Sequence, residues 1–407
     1  MDQNDGKGKE MSSFLSRQVT ACLLQAARDR YPVMGLTHNF YKYPARFSPR
    51  FVSEAIQSFS APGSLVLDPY MGGGTTVLEA IVLGRRVVGN DLNSLAAFVS
   101  EVKTTRLSTQ DIKRLREWSR DVVPGLNYWT PADLIEPYID EQKTRNMTLV
   151  RARFIKKIIA TALMTIESLP SAKSRAFAKC ALLCAGQRAL DGRKRHTPLA
   201  EFRIQLSTIT NKMLDDLEFL DAQLRRTSGS EAQCTITNRD TSEIDQLPIF
   251  AEGKEKVSLV VTSPPYPGVH ILYHRWQVDG RKETPAPYWI SGTQDGQGAS
   301  FYNLGDRREE GAETYFRESL KNLLSIRRVM EPGAYMIQLL AFAHPDNQLP
   351  RYLANMESAG FTEVLADPHS TGGANRIWRD VPNRKWHATI NGNTASSREV
   401  VLIHRAV

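Results

Sequence analysis

The chain has 407 residues, with 52 Lys plus Arg against 44 Asp plus Glu, a formal net charge of +8. That length holds a large catalytic core plus an insert or small domain, and the moderate basic excess is compatible with a polyanion partner. Four irregularly spaced cysteines argue against a disulfide framework and fit a reducing, cytoplasmic compartment, and no apolar run reaches the length of a membrane span.

The first ten residues are polar and lack a signal-peptide core, so they are expected to form a frayed tail. Tail and helix together occupy 1–36. Thr37 to Pro49 is aromatic-rich and extended, ahead of a helix expected near Arg50. Core packing is one reading of its Tyr43 and Phe47.

Leu65-Val66-Leu67 is an apolar strand that runs into Asp68-Pro69-Tyr70-Met71-Gly72-Gly73-Gly74-Thr75-Thr76. Val77 to Leu83 then has helical apolar spacing, closed by Gly84. Strand, glycine loop and helix start form a ligand cradle: glycine relaxes backbone restrictions, and the helix start offers free N–H groups. A dinucleotide fingerprint is excluded, because Val77 stands where the last glycine is needed. A phosphate loop is excluded by the lack of a lysine. Arg85 to Asp91 reads as the next strand, and Asp91 stands where a carboxylate accepts hydrogen bonds from ribose hydroxyls. A cap or turn role is the alternative for Asp68.

Residues 105–230 have helical periodicity throughout, in three main stretches: one bearing Met147, Val150, Phe154 and Ile158, then Ser174 to Leu190, then Leu206 to Leu224. Cys180 and Cys184 share a helical face without the partners of a zinc site, so they are expected to be buried thiols. His270 and His274 likewise lack a carboxylate partner, and no metal is expected. Arg193-Lys194-Arg195 lies in a loop and is a candidate phosphate contact.

Cys234 to Asp240 alternates like a strand ending in Asp240, which a simple turn would also explain. Val257 to Val261 is a buried-strand run that stops at Thr262-Ser263-Pro264-Pro265-Tyr266. Neither proline donates a hydrogen bond, so their carbonyls are acceptors on a stiff backbone. Ser263 adds a hydroxyl and Tyr266 a flat face with a polar tip. The set suits a planar base carrying an exocyclic amine. Tyr266 as a cap on the core is the other reading. Residues 273–314 look irregular, and Arg275, Trp276, Arg281 and Lys282 interleave cations with an aromatic ring, as an unstacked nucleic acid strand requires. A loop folded onto the core by its tryptophans is the alternative. A helix near Tyr315–Val329, a strand Ala334–Leu340, a helix near Leu349–Ser358 and strands near Phe361–Leu365 and Glu399–His404 follow. Arg376 to Arg379 and Arg384 to Trp386 read as a further loop.

Ser263-Pro264-Pro265-Tyr266 resembles motif IV of the amino-methylating DNA methyltransferases, which use S-adenosylmethionine. Asp68-Pro-x-x-Gly72-x-Gly74-Thr75-Thr76 resembles motif I of the same family, and Tyr43-Pro44-Ala45-Arg46-Phe47 its motif X. The resemblance spans about 37–104 and 231–407. It implies an α/β fold: a Rossmann-like class I methyltransferase core with a mixed seven-stranded sheet and a helical insert at 105–230, open to a target-recognition role. It implies cofactor contacts from Tyr43, Phe47, Asp68, Tyr70, Gly72, Gly74, Thr75, Thr76, Asp91 and Asp240. Catalysis falls to Ser263, Pro264, Pro265 and Tyr266. DNA is the implied partner, with no membrane, and a partner nuclease or other defence-system protein is left open. Ser at the first motif position points, by the resemblance, to cytosine N4. Adenine N6, an RNA base, or a catalytically idle DNA-binding protein are the alternatives. Ring-carbon methylation needs a cysteine after a proline, and none of Cys22, Cys180, Cys184 or Cys234 is so placed.

Overall fold

A computed structural model describes residues 14–31, 33–43, 47–193, 197–227, 233–267, 275–278, 282–296, 302, 304–305, 309–380 and 398–407. Arg46, Lys194, Arg195, His270, His274, Arg281 and Arg384 to Trp386 lie outside the described residues.

The strands are β1 Leu65–Asp68, β2 Arg86–Asn90, β3 Cys234–Thr237, β4 Val257–Thr262, β5 Trp276–Val278, β6 Lys282–Thr284, β7 Met330–Leu340, β8 Phe361–Glu363, β9 Ile377–Asp380 and β10 Arg398–Ala406. The helices are α1 Arg17–Ala27, α2 Pro49–Phe59, α3 Thr75–Val82, α4 Ser94–Thr104, α5 Thr109–Glu117, α6 Ala132–Ile135, α7 Val150–Ile166, α8 Ala172–Leu190, α9 Leu199–Thr227, α10 Ala286–Ser291, α11 Glu309–Val329, α12 Pro345–Ser358 and α13 Pro368–Thr371.

One sheet runs β3-β2-β1-β4-β7-β10-β8. The first five strands are parallel, and β10 is antiparallel to its neighbours β7, β8 and β9. This is the Rossmann-like mixed sheet expected from the sequence, with one correction. Among the described residues the sheet has eight strands rather than seven, because Ile377–Asp380, read as loop, pairs along the first half of β10. Ile377 and Arg379 turn inward while Trp378 is half-buried and Asp380 exposed, the alternation of an edge strand.

Both sheet faces are covered, which explains the unbroken apolar runs of the parallel strands. Val66, Val87, Leu259, Ile337 and Val401 join the core beneath α1 to α4 and the insert. Leu67, Val88, Val260, Met336 and Leu402 join the core beneath α11 and α12. Insert residues such as Ile155, Phe177 and Leu206 belong to the first of these cores, so the insert continues the domain's own interior.

The stretch after the Pro-Pro-Tyr loop is more ordered than its composition suggests. Among the described residues it holds a β5–β6 hairpin and helix α10. Trp276 and Tyr288 are fully buried. The Trp289 indole donates to the Tyr138 carbonyl at 2.6 Å. A loop folded onto the core by its tryptophans is what these residues form. No described helix is long and apolar enough to cross a membrane.

Candidate functional site

The site lies at the carboxyl ends of the neighbouring parallel strands β1, β2 and β4, where each strand hands over to a loop. After β1 the chain turns so sharply that Gly72 and Gly74 take φ of +46° and +72°. At Gly74 a Cβ would also sit 2.5 Å from the Ser100 hydroxyl, so both conformation and space demand glycine. Gly74→Ala is therefore expected to displace the loop and weaken cofactor binding at least tenfold, read by calorimetry. Binding at parental affinity would show that the turn tolerates a side chain.

Asp91 closes the loop. Its carboxylate accepts the Gly72 N–H at 2.8 Å through one oxygen and the Asn93 N–H at 2.8 Å through the other. The group remains half-exposed, so lone pairs are left for a ligand's hydroxyls. Burial pushes its carboxyl up to about 6, against the pull of the two N–H bonds. Asp68 is buried and accepts the Thr262 hydroxyl at 2.6 Å and the Tyr70 N–H at 3.2 Å. Burial holds it up to about 7. The Thr76 hydroxyl donates to the Val261 carbonyl at 3.2 Å. Two hydrogen bonds therefore tie the glycine loop to the strand that delivers Ser263. Buried Lys103 donates to the Gly73 carbonyl at 2.5 Å and braces the loop from behind.

Tyr43 lies with its ring edge 3.5 Å from where a Gly72 Cβ would stand, which brings the upstream aromatic segment onto the glycine loop. Its position is set by the insert. The Gln187 amide of α8 brackets the Lys42 backbone, accepting its N–H at 3.3 Å and donating to its carbonyl at 3.0 Å. Phe47 is buried and packs on Phe51, in keeping with the core-packing reading. The Tyr70 hydroxyl accepts from the Asn322 amide at 2.8 Å. Thr75 and Thr76 are buried in the first turn of α3. Asp240 is exposed, and its carboxylate caps the following 3-10 turn through the Ser242 N–H at 2.8 Å.

In the Pro-Pro-Tyr loop, the Ser263 hydroxyl donates to the Leu339 carbonyl at 3.1 Å and lies 3.2 Å from the Tyr266 hydroxyl. Tyr266 donates in turn to Glu399 Oε1 at 2.8 Å. The other Glu399 oxygen accepts from Arg379 Nε at 2.7 Å. Arg379 and Glu399 are cross-strand partners on β9 and β10, and both are buried. Burial first, then the Glu399 charge, raises the Tyr266 hydroxyl well above its ordinary pKa, so it stays protonated as a donor. The Tyr315 hydroxyl donates to the Pro265 carbonyl at 3.0 Å. Among the described residues no donor meets the Pro264 carbonyl, although Pro264 is buried, so an acceptor there is unused.

Two expected nucleic-acid contacts are corrected. Trp276 is fully buried, with Nε1 donating to the Tyr41 hydroxyl at 3.0 Å and its ring against Gly186 of α8. It is a core residue, with no face for a base. Arg275 is one-tenth exposed and forks onto Asp295 at 2.8 and 3.1 Å, so its charge is already matched. Arg193 and Lys282 are exposed. Sequence reasoning did not find Glu399, Arg379, Gln187, Asn322 or Tyr315. Each is an ordinary residue in its own element, and no local pattern marks it.

Residues 23–98 match a family model described as DNA methylase. The chain is 34% identical over 82 residues to the type II methyltransferase M.MvaI of Kocuria varians, covering 19% of this chain and 18% of that protein. It is 27% identical over 78 residues to the type II methyltransferase M.MjaII of Methanocaldococcus jannaschii, covering 19% of this chain and 15% of that one. The chain thus matches less than a fifth of the length of these curated relatives. Among solved structures, TrmN from Thermus thermophilus aligns with 91% of this chain and 53% of its own, at 12% identity and a TM-score of 0.36.

Proposed function

We propose that this chain, whose residues 23–98 belong to the amino-methylating DNA methyltransferase family, transfers a methyl group from S-adenosylmethionine to the exocyclic N4 of cytosine in DNA. One observation carries the reading. The Asp68–Thr262 hydrogen bond joins the cofactor loop to the amine-accepting loop across adjacent strand ends, so both substrates meet at one point of the sheet.

S-adenosylmethionine supplies an electrophilic methyl on a sulfonium centre. The residues present fit it: the half-exposed Asp91 carboxylate for ribose hydroxyls, the Gly72–Gly74 backbone for close approach, and Tyr43 beside the loop. The chemical problem is the amine, whose lone pair is delocalised into the base. The unused Pro264 carbonyl and the Ser263 hydroxyl oxygen accept its hydrogens, which turns the lone pair toward the methyl and stabilises the positive charge growing on nitrogen. Tyr266 offers its ring to the base, fixed through its hydroxyl by Glu399. A base inside a duplex cannot reach this loop, so it must rotate out, at a cost of a few kcal/mol. The likeness to two type II methyltransferases supports a biological role in modification, in the restriction–modification manner.

Ser263→Ala is expected to slow the single-turnover methyl-transfer step by at least tenfold while DNA affinity changes little, because the acceptor matters most as nitrogen becomes cationic. Digestion of modified plasmid to nucleosides identifies the atom. N4-methylcytidine supports the proposal. N6-methyladenosine keeps the mechanism but overturns the base assignment, and 5-methylcytidine refutes the mechanism.

A further inference from the structure

We propose that a basic groove between helix α1 and the β9–β10 edge is the track on which the phosphodiester backbone of the DNA lies beside the site. The inference rests on the DNA methyltransferase reading and adds a surface of which the sequence pointed only to the Arg376 to Arg379 segment, as a loop at the same face. The cationic segments expected to touch phosphate were Arg193 to Arg195 and Arg275 to Lys282.

The groove consists of two adjoining cavities. One, of about 720 Å³, runs along α1 past Arg17, Arg28, Arg30 and Arg50. The other, of about 360 Å³, shares Arg28, Asp29 and Arg30 and continues past Trp378, Arg379 and Arg398. Arg17, Arg28, Arg30, Arg50 and Arg398 are all exposed. The carboxylates facing them do not cancel this charge. Asp29 pairs with Arg50 at 3.6 Å, and Asp380 with Arg30 at 3.5 Å, both long contacts to side chains more than half exposed. Arg379 is neutralised by Glu399 within the wall. Helix α1 itself carries no acidic residue. The remaining positive charge matches a polyanion.

Length and direction select among polyanions. The 11 residues of α1 rise about 16 Å, and one strand of a duplex presents a phosphate every ~3.4 Å of axis, so the groove faces several phosphates in line rather than one anion. It also leads to the chemistry. Its inner end is Arg379, whose guanidinium holds Glu399, which holds the Tyr266 hydroxyl. Arg398, stacked over the Trp378 ring with its guanidinium carbon 5.3 Å from the centroid, stands at the mouth. The groove therefore shares a wall residue, Arg379, with the hydrogen-bonded chain that fixes the Pro-Pro-Tyr loop, the loop that receives a base rotated out of the strand.

The test compares two triple substitutions of equal charge in the full chain. One is Arg28→Ala, Arg30→Ala and Arg398→Ala, in the groove. The control is Arg120→Ala, Arg225→Ala and Arg226→Ala, on exposed helical surface elsewhere. Affinity for a duplex oligonucleotide is measured from low to high salt, with cofactor affinity and melting temperature as checks on the fold. The groove triple is expected to flatten the log–log salt slope by about two to three units, at ~0.9 per phosphate contact, and to weaken binding at least tenfold. Cofactor affinity should stay unchanged. Equal effects of both triples would reduce the groove to general net charge and overturn the proposal. So would an unchanged slope in the groove triple while the parent binds DNA. Tighter binding of an RNA duplex of the same sequence, lost in the same triple, would reassign the groove to RNA. A parent protein that neither binds nor methylates DNA overturns the functional reading itself, an outcome the parent arm reports separately.

Discussion

Glu399→Ala is expected to destabilise the protein by about 3–5 kcal/mol and to lower turnover at least tenfold. The substitution removes one half of a buried ion pair and leaves the Arg379 guanidinium without its partner, and an unpaired buried charge is costly. It also removes the acceptor of the Tyr266 hydroxyl, so the ring proposed to meet the base is free to turn. The two effects separate in Glu399→Gln. The amide oxygen can still accept from Tyr266, while the amide NH2 faces the Arg379 guanidinium donor to donor, so the pairing with Arg379 is lost. That variant should recover much of the turnover yet still melt below the parent. Denaturant unfolding and methyl transfer under saturating substrates provide the readouts. An alanine variant with parental stability and turnover would show that the Tyr266–Glu399–Arg379 chain holds nothing in place.

The second large effect is expected at Asp91. A charge-assisted hydrogen bond contributes ~1.5–3 kcal/mol, so losing the acceptor for ribose hydroxyls in Asp91→Ala should weaken cofactor binding tenfold or more. The same carboxylate also accepts from Gly72 and Asn93, so the loop loses its clasp along with the ligand contact. The expected loss therefore lies at the upper end of that range.

pH gives an independent check at the same residue. Burial places Asp91 at about 6, so cofactor affinity should fall as pH drops through that value, and Asp91→Asn should flatten the profile. Stability of the free protein should move the other way. Asp91 at about 6 and Asp68 at about 7 are both raised above their unfolded values, so their contribution is full below the unfolded pKa and is lost as pH rises through 6 to 7. Buried His404, lowered to about 3, has the opposite slope between about 3 and 6.5 and offsets part of it. The free protein is thus expected to melt higher at pH 5 than at pH 8, while binding the cofactor better at pH 8. A parallel rise of both with pH would contradict the assignment of these carboxylates.

Much of the fold was legible because its signals are local. The apolar runs ending at Asp68, Asn90 and Thr262 became buried parallel strands within a residue or two of their expected ends. A parallel strand covered on both faces must be apolar throughout, so its length is written in the sequence. The edge strand Ile377–Asp380 was missed because only every second residue is inward-facing, and one of those two is Arg379. The residues around Trp276 were misread for a related reason. Cations and tryptophans in a Gly- and Pro-rich stretch fit either an exposed binding loop or a hairpin pinned to the core. The choice depends on Tyr41, Gly186 and Asp295, which lie far away or on another turn of chain.

The sequence by itself determined the two loops that define the site. A glycine turn needs its glycines in place, and the Ser-Pro-Pro-Tyr segment proposed to accept the amine carries its acceptors in consecutive residues, so both are complete in one stretch of chain. Only the tertiary structure decided what fixes them. Thr262 on Asp68, Gln187 on Lys42, Glu399 on Tyr266 and the arginines flanking α1 come together across 133 to 194 positions of chain or across separate elements. A hydrogen bond between side chains so far apart leaves no periodicity or spacing behind, because its geometry is set by which strands lie adjacent in the sheet and not by the residues on either side.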